Sequence, residues 1–235
     1  MLFPKIPLFN RINSRSKIND VGTKNEQTRF EWVTSTLKKI PAGSRILDAG
    51  AGQLRYKPYC DHLNYVSQDF AQYDGKGDNK GLQVGTWDQS KLDIICDIVN
   101  IPEPDASFDA IMCKEFSRLL KKNGYLILTA PFCSLTHMAP YHFYSGFNKY
   151  FYDYHLNDYG FDVIEMNTNG NYFEFLAQEL RRLPSVSEKC IEAHLTANEY
   201  KSIDCVLKML QRFSNVEQSS DELLCFGYQV FAQKK

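Results

Sequence analysis

Apolar positions follow two spacings along this chain, and the change from one to the other marks out its elements. Phe30, Val33, Leu37 and Ile40 recur at helical spacing until Pro41-Ala42-Gly43 stops the pattern. Directly afterwards Arg45-Ile46-Leu47-Asp48-Ala49 forms a short apolar run that ends on Gly50-Ala51-Gly52. Further runs lie at Tyr65–Gln68, ending on Asp69, at Leu92–Cys96, ending on Asp97, at Phe108–Cys113, and at Tyr125–Ala130, closed by Pro131. Each is short, bounded by turn residues and apolar on both faces, which predicts strands of a buried parallel sheet. The whole reads as an α/β chain with a doubly wound sheet.

The second half has a different character. Phe132 to Tyr159 is dominated by Tyr, Phe and His, and Gly160–Glu165 then reads as a strand. Two helical patterns follow, Tyr172, Phe173, Leu176, Leu180, Leu183 and Tyr200, Ile203, Leu207, Leu210, with Pro184 expected to separate them. A last strand is expected over Leu224–Ala232. Tyr73 to Ser90, rich in Gly, Asp, Asn and Lys around Trp87, reads as a long surface loop. The opening Met1 to Phe9 is apolar, but two prolines break it and no leader-like segment follows. The expected division is an N-terminal arm over 1–24 and one domain over 25–235, with a helical insertion at about 171–220.

Composition narrows the function. Lys plus Arg number 27 against 28 Asp plus Glu, so no long-range field favours nucleic acid, and no nucleic-acid partner is expected. The seven cysteines show no CxxC or Cys/His spacing, which reads as reduced thiols in a cytoplasmic protein rather than a zinc site or a disulfide scaffold; no metal is expected. No stretch approaches the length of a transmembrane helix. Aromatic residues make up 14% of the chain, enough to ask for a pocket or a partner as well as a core.

The candidate chemistry gathers at strand ends. Glycines at positions 50 and 52 let the backbone turn sharply and approach a ligand closely, and Asp48 beside them can orient the loop or accept from a cationic amine. Asp69 stands about twenty residues on, where a carboxylate can take both hydroxyls of a ribose. Asp97-Ile98 ends the third strand, placed to offer a side-chain acceptor and a backbone N–H to an adenine. All lie where open α/β sheets bind ligands. A dinucleotide fingerprint would need a third glycine where Arg55 stands.

Ile46–Gly52, Asp97-Ile98, Phe108–Ile111 and Arg118–Leu126 together resemble the class I S-adenosylmethionine-dependent methyltransferases, particularly the type-11 group acting on small molecules. The similarity runs from about Phe30 to Lys234. It implies a Rossmann-like, mostly parallel sheet with an antiparallel final strand. It also implies a cofactor site made by Asp48, Ala49, Gly50, Ala51, Gly52, Asp69, Phe70, Asp97, Ile98 and Cys113, with S-adenosylhomocysteine as product. The pattern breaks after Cys113. The family has a loop and helix there, often with a Glu and a His, before a helix resembling Glu115 to Lys122. Here only eleven residues, Lys114–Gly124, separate two strands, near the minimum for a helical crossover. Either the domain has lost one wall of the pocket or the sequence lacks a stretch of the natural protein, and the good match on both sides favours the second.

His137-Met138-Ala139-Pro140-Tyr141-His142-Phe143-Tyr144 follows the fifth strand, where this fold often builds its acceptor site. His137 and His142 are the candidate bases, and Tyr141, Tyr144 and Tyr172 the candidate contacts to a small-molecule acceptor. Asn169–Glu174 is expected either to cover that site or to form a turn and a helix cap. Methyl transfer relies mostly on in-line positioning, so no single residue is forced to be catalytic. Two other functions fit less of the pattern: a catalytically silent binding domain on the same fold, and a nicotinamide-dependent dehydrogenase.

Overall fold

The computed structural model of the protein describes residues 19–73, 88–112 and 117–235. Most of the arm, the greater part of the loop around Trp87, and Cys113 with the three residues after it lie outside the described residues.

The helix α1 (Asn25–Leu37) leads into β1 (Arg45–Ala49), followed by β2 (Asn64–Asp69), β3 (Ile94–Ile95), β4 (Phe108–Met112) and β5 (Leu120–Pro131). The chain continues through α2 (Lys149–Asp158), β6 (Phe161–Asn169), α3 (Tyr172–Ile191), α4 (Ala197–Ser214) and β7 (Gly227–Lys234). The seven strands form one sheet in the order β3-β2-β1-β4-β5-β7-β6. The first five pair in parallel, and β7 runs antiparallel to both β5 and β6. Strand order reverses between β1 and β4, and the crevice outside that switch point is where such sheets hold ligands.

Alternation along the strands divides the core. Ile46, Ala110, Ile127 and Phe231 face α1, which lays Val33 and Leu37 on them. On the other face Leu47, Ile111, Leu128 and Val230 pack with Tyr152 and Leu156 of α2. Each fully buried aliphatic or aromatic side chain here contributes at most about 3 kcal/mol.

Four features stand out, of which the first and the fourth change an expectation. No helix resembling Glu115–Lys122 forms over its described residues, because Leu120 to Lys122 already belong to β5 and Leu120 pairs with Phe108. So few residues leave no room for a helical return. The pairing then slips past Asp109, where Asn123 has φ 61° and a Cβ on Gly124 would come within 3.0 Å of Lys121 and Asp109 carbonyl oxygens. Second, Gly52 opens no α-helix: turns and a single 3-10 turn at Lys57–Tyr59 lead to β2. Third, the aromatic segment contains α2, capped by the Asn148 side chain, which accepts from the Phe151 N–H. Fourth, α3 runs through Pro184 to Ile191 and ends at Glu192 in the left-handed region.

Residues ahead of α1 are tied down. Val21 is wholly buried among Ala177, Leu207 and Leu210, and Gly22 sits so close to α3 that a Cβ there would meet the Ala177 and Gln178 backbone. Arg181 donates to the carbonyls of Val21 and Asn19, both at 2.8 Å. This strap holds α3 against the carboxyl edge of the sheet. Among the described residues no helix is long and apolar enough to cross a membrane.

Candidate functional site

The glycine loop is laced onto the end of β2. The N–H groups of Gly50 and Ala51 both donate to the Gln68 carbonyl, at 2.8 and 2.9 Å. Gly52 N–H donates to Asp69 Oδ2 at 2.9 Å, while Asp69 Oδ1 accepts from Ala71 N–H at 3.0 Å and from the Gln89 amide at 3.3 Å. Asp69 therefore shapes the loop whatever else it binds. Gly50 and Gly52 have φ of 78° and 51°, which a side chain resists. A Cβ at Gly50 would meet no atom of the described residues within 4 Å, so among them the space in front of the loop is open.

Asp48 lies at the base of that space, 4% exposed. Its one hydrogen-bond partner among the described residues is the Tyr65 hydroxyl, at 2.5 Å. Burial pushes its carboxyl up to about 7, against the Tyr65 hydrogen bond, and the charge of Asp69 adds to the rise. Burial also raises Tyr65, with the Asp48 charge next in weight. A buried carboxylate with no cation beside it is costly by itself and is relieved by a ligand that brings positive charge. Asp48, Ala49 and Gly50 form a notch of about 160 Å³ with Tyr56, Met112, Ile127 and Thr129.

The other predicted cofactor residues stand along the same edge. Phe70 is 42% exposed and meets the ring of Tyr141 edge-on at 5.5 Å. Asp97 is exposed and caps a 3-10 turn by accepting from Val99 N–H at 3.1 Å, and Ile98 is half-buried. Cys113 is outside the described residues. The missing helix after Gly52 bears on the dinucleotide reading, because a pyrophosphate is held at such a helix's N-terminus. At the position of the third glycine, Arg55 pairs with Glu26 and lies over the ring of Phe30.

A larger cavity of about 580 Å³ opens beside the notch, between the start of α1, the end of β5, the start of β7 and α3. Thr129 lines both, so the two spaces adjoin. His137 lines the cavity. Its Nδ1 faces the Leu135 carbonyl at 2.8 Å; a carbonyl only accepts, so Nδ1 carries the proton and Nε2 of the neutral ring is the free base. His142 is not on the cavity wall. The Ser134 hydroxyl gives its single proton to Ser145 O, so it accepts from His142 Nε2 at 3.3 Å. Burial, then the charge of His137, lowers the pKa of His142. Of the predicted acceptor contacts, Tyr141 stands against Phe70, Tyr144 is 72% exposed beside Phe147, and Tyr172 begins α3; none lines the cavity. Asn171 caps α3 by accepting from Glu174 N–H, so that part of the Asn169–Glu174 run is a helix cap.

Sequence reasoning missed Arg29, Thr129 and Gln229, which line the cavity. Only Gln229 left a trace, as a polar residue within an apolar terminal strand.

No family model and no curated protein sequence matches the chain. Among solved structures it is similar to the [4+2]-cyclase SpnF, with 14% identity over 86% of this chain and 79% of that one and a TM-score of 0.49. A SAM-dependent methyltransferase from Archaeoglobus fulgidus is similar at 15% identity over 89% and 94%, with a TM-score of 0.48. A phosphoethanolamine N-methyltransferase from Haemonchus contortus, solved with S-adenosylhomocysteine, is similar at 15% identity over 91% and 58%, with a TM-score of 0.41.

Proposed function

We propose that this chain binds S-adenosylmethionine along the carboxyl edge of β1 to β3 and methylates a small molecule held in the 580 Å³ cavity. The observation that carries the reading is the uncompensated Asp48 carboxylate beneath an open glycine loop, in a notch that meets the cavity at Thr129. When bound, the cofactor supplies a methyl group on a positively charged sulfur, open to in-line attack by a lone pair.

The chain's own residues supply the rest. Asp48 takes the ammonium of the methionine part, and its loss of a proton on binding is favoured by the cation it gains. Gly50 leaves room for the ligand to run past the loop. Asp69 has acceptor capacity left beyond Gly52, Ala71 and Gln89 for a ribose hydroxyl, and Phe70, Asp97 and Ile98 border the adenine. His137 offers Nε2 as the site that takes the acceptor's proton; His142 acts behind it by fixing the loop through Ser134. Binding is open to a direct test with S-adenosylhomocysteine in a calorimeter. Saturable binding to the native chain, much weakened in Asp48→Asn, supports the reading; no heat and no melting shift at millimolar ligand rejects it.

The short link from β4 to β5 favours a second reading, a catalytically silent domain that keeps the fold and binds a partner. S-adenosylhomocysteine binding separates the two, because the silent domain has no use for the notch.

A further inference from the structure

Asn169 and Gln229 carry polar atoms for which the free fold has no use. They are 4% and 3% exposed, both line the large cavity, and neither Asn169 Oδ1 nor Gln229 Nε2 has a hydrogen-bond partner among the described residues. The Asn169 amide cannot be turned round without loss: its nitrogen donates to the Asn25 backbone carbonyl at 2.9 Å, and that carbonyl only accepts. The free atom is therefore an acceptor. An unmet buried polar atom destabilises the free fold, a cost that an apolar side chain at either place would avoid.

Charge adds a second constraint. Three charged residues line the cavity: Glu26 is paired with Arg55 and Arg182 with Glu179, whereas Arg29 has no ion-pair or hydrogen-bond partner among the described residues. The apolar part of the wall includes the rings of Phe175 and Phe226, 6.3 Å apart.

We propose that the cavity takes an aromatic hydroxy acid, with its carboxylate on Arg29, its ring against Phe175 and Phe226, and its hydroxyl shared between Asn169 and Gln229. A single hydroxyl can donate to the first and accept from the second at once. Gln229 stands opposite Thr129 in the β5–β7 ladder, so that hydroxyl is presented where the cavity meets the cofactor notch. Its role as methyl acceptor rests on the methyltransferase reading; its binding does not.

The test is a calorimetric series with para-hydroxybenzoate, para-hydroxyphenylacetate and para-hydroxyphenylpropanoate, each beside its primary amide, and a separate titration with S-adenosylhomocysteine. At least one acid should bind about tenfold tighter than its amide, and Arg29→Gln should erase that preference. Gln229→Met should weaken the acid about fivefold or more without lowering the melting temperature, since the free protein loses no known hydrogen bond at Nε2. No preference for any acid overturns the proposal, as does a preference that survives in Arg29→Gln. So does an Arg29→Gln variant that loses S-adenosylhomocysteine and keeps the acid, which would give the arginine to the cofactor. Acid binding without S-adenosylhomocysteine binding would sustain this inference and reject methyl transfer; the converse would do the opposite.

Discussion

Asp48 makes opposite demands on the free and the liganded protein. Its carboxyl titrates near 7 in the fold and near the ordinary 3.8 when exposed, so the folded state holds the extra proton between those values. A raised pKa gives stability that is complete below about 4 and lost as pH rises through about 7, by up to about 4 kcal/mol. Asp48→Asn keeps an oxygen for the Tyr65 hydroxyl and carries no charge. It should therefore melt higher than the native chain at pH 8, with the gap closing by about pH 4, as scanning calorimetry would show. If the gap were constant across that range, Asp48 would not be the titrating group. On the proposed function the two histidines divide in the same way between chemistry and support. His137→Ala should remove most of the turnover while S-adenosylhomocysteine still binds. His142→Ala should lower turnover by a smaller factor, because its proton is committed to Ser134 and it acts only by fixing the loop.

At the scale of elements, the glycine loop and β2 act as one unit because Asp69 joins them. Asp69→Ala should weaken S-adenosylhomocysteine by about 2–4 kcal/mol through loss of charged acceptors at the loop and the ligand together. Asp69→Asn, with one oxygen left, should fall between; unchanged affinity in both would leave Asp69 as a strand end only. This is also where the reach of the sequence is clearest. β1 was readable to the residue, because a short apolar run closed by Gly50 permits little else. The glycine loop and Asp69 were readable for the same reason. The aromatic run hid α2, since Phe147, Phe151, His155 and Tyr159 repeat at helical spacing but stack on one another as much as on the sheet. Pro184 misled because the loss of one N–H does not end a twenty-residue helix. The polar cavity wall was not readable at all, because it joins α1, β5, β7 and α3 across more than two hundred residues.

For the whole molecule, the strap ahead of α1 and the helices α3 and α4 stand or fall together. Gly22 has φ 76° and no room for a Cβ, and its N–H donates to Glu174 Oε2 at 2.5 Å. Gly22→Ala should cost about 2–4 kcal/mol and loosen the cavity while leaving the glycine loop intact. Hydrogen exchange would then quicken in α3 and α4 and stay slow in β1 and β4; uniform quickening would make the strap part of the central core.

The place of β7 has a consequence for how the chain is made. It is translated after both of its neighbours, yet it lies inside the sheet, pairing with β5 on one side and β6 on the other. Until Gly227–Lys234 have emerged, two strands present open edges and the apolar faces beneath α1 and α2 lack Phe231, Val230 and Ala232. The nascent chain must therefore wait, partly collapsed and prone to association, for that eight-residue strand, and truncation even shortly before it would yield a product for the cell's proteases rather than a weakened protein.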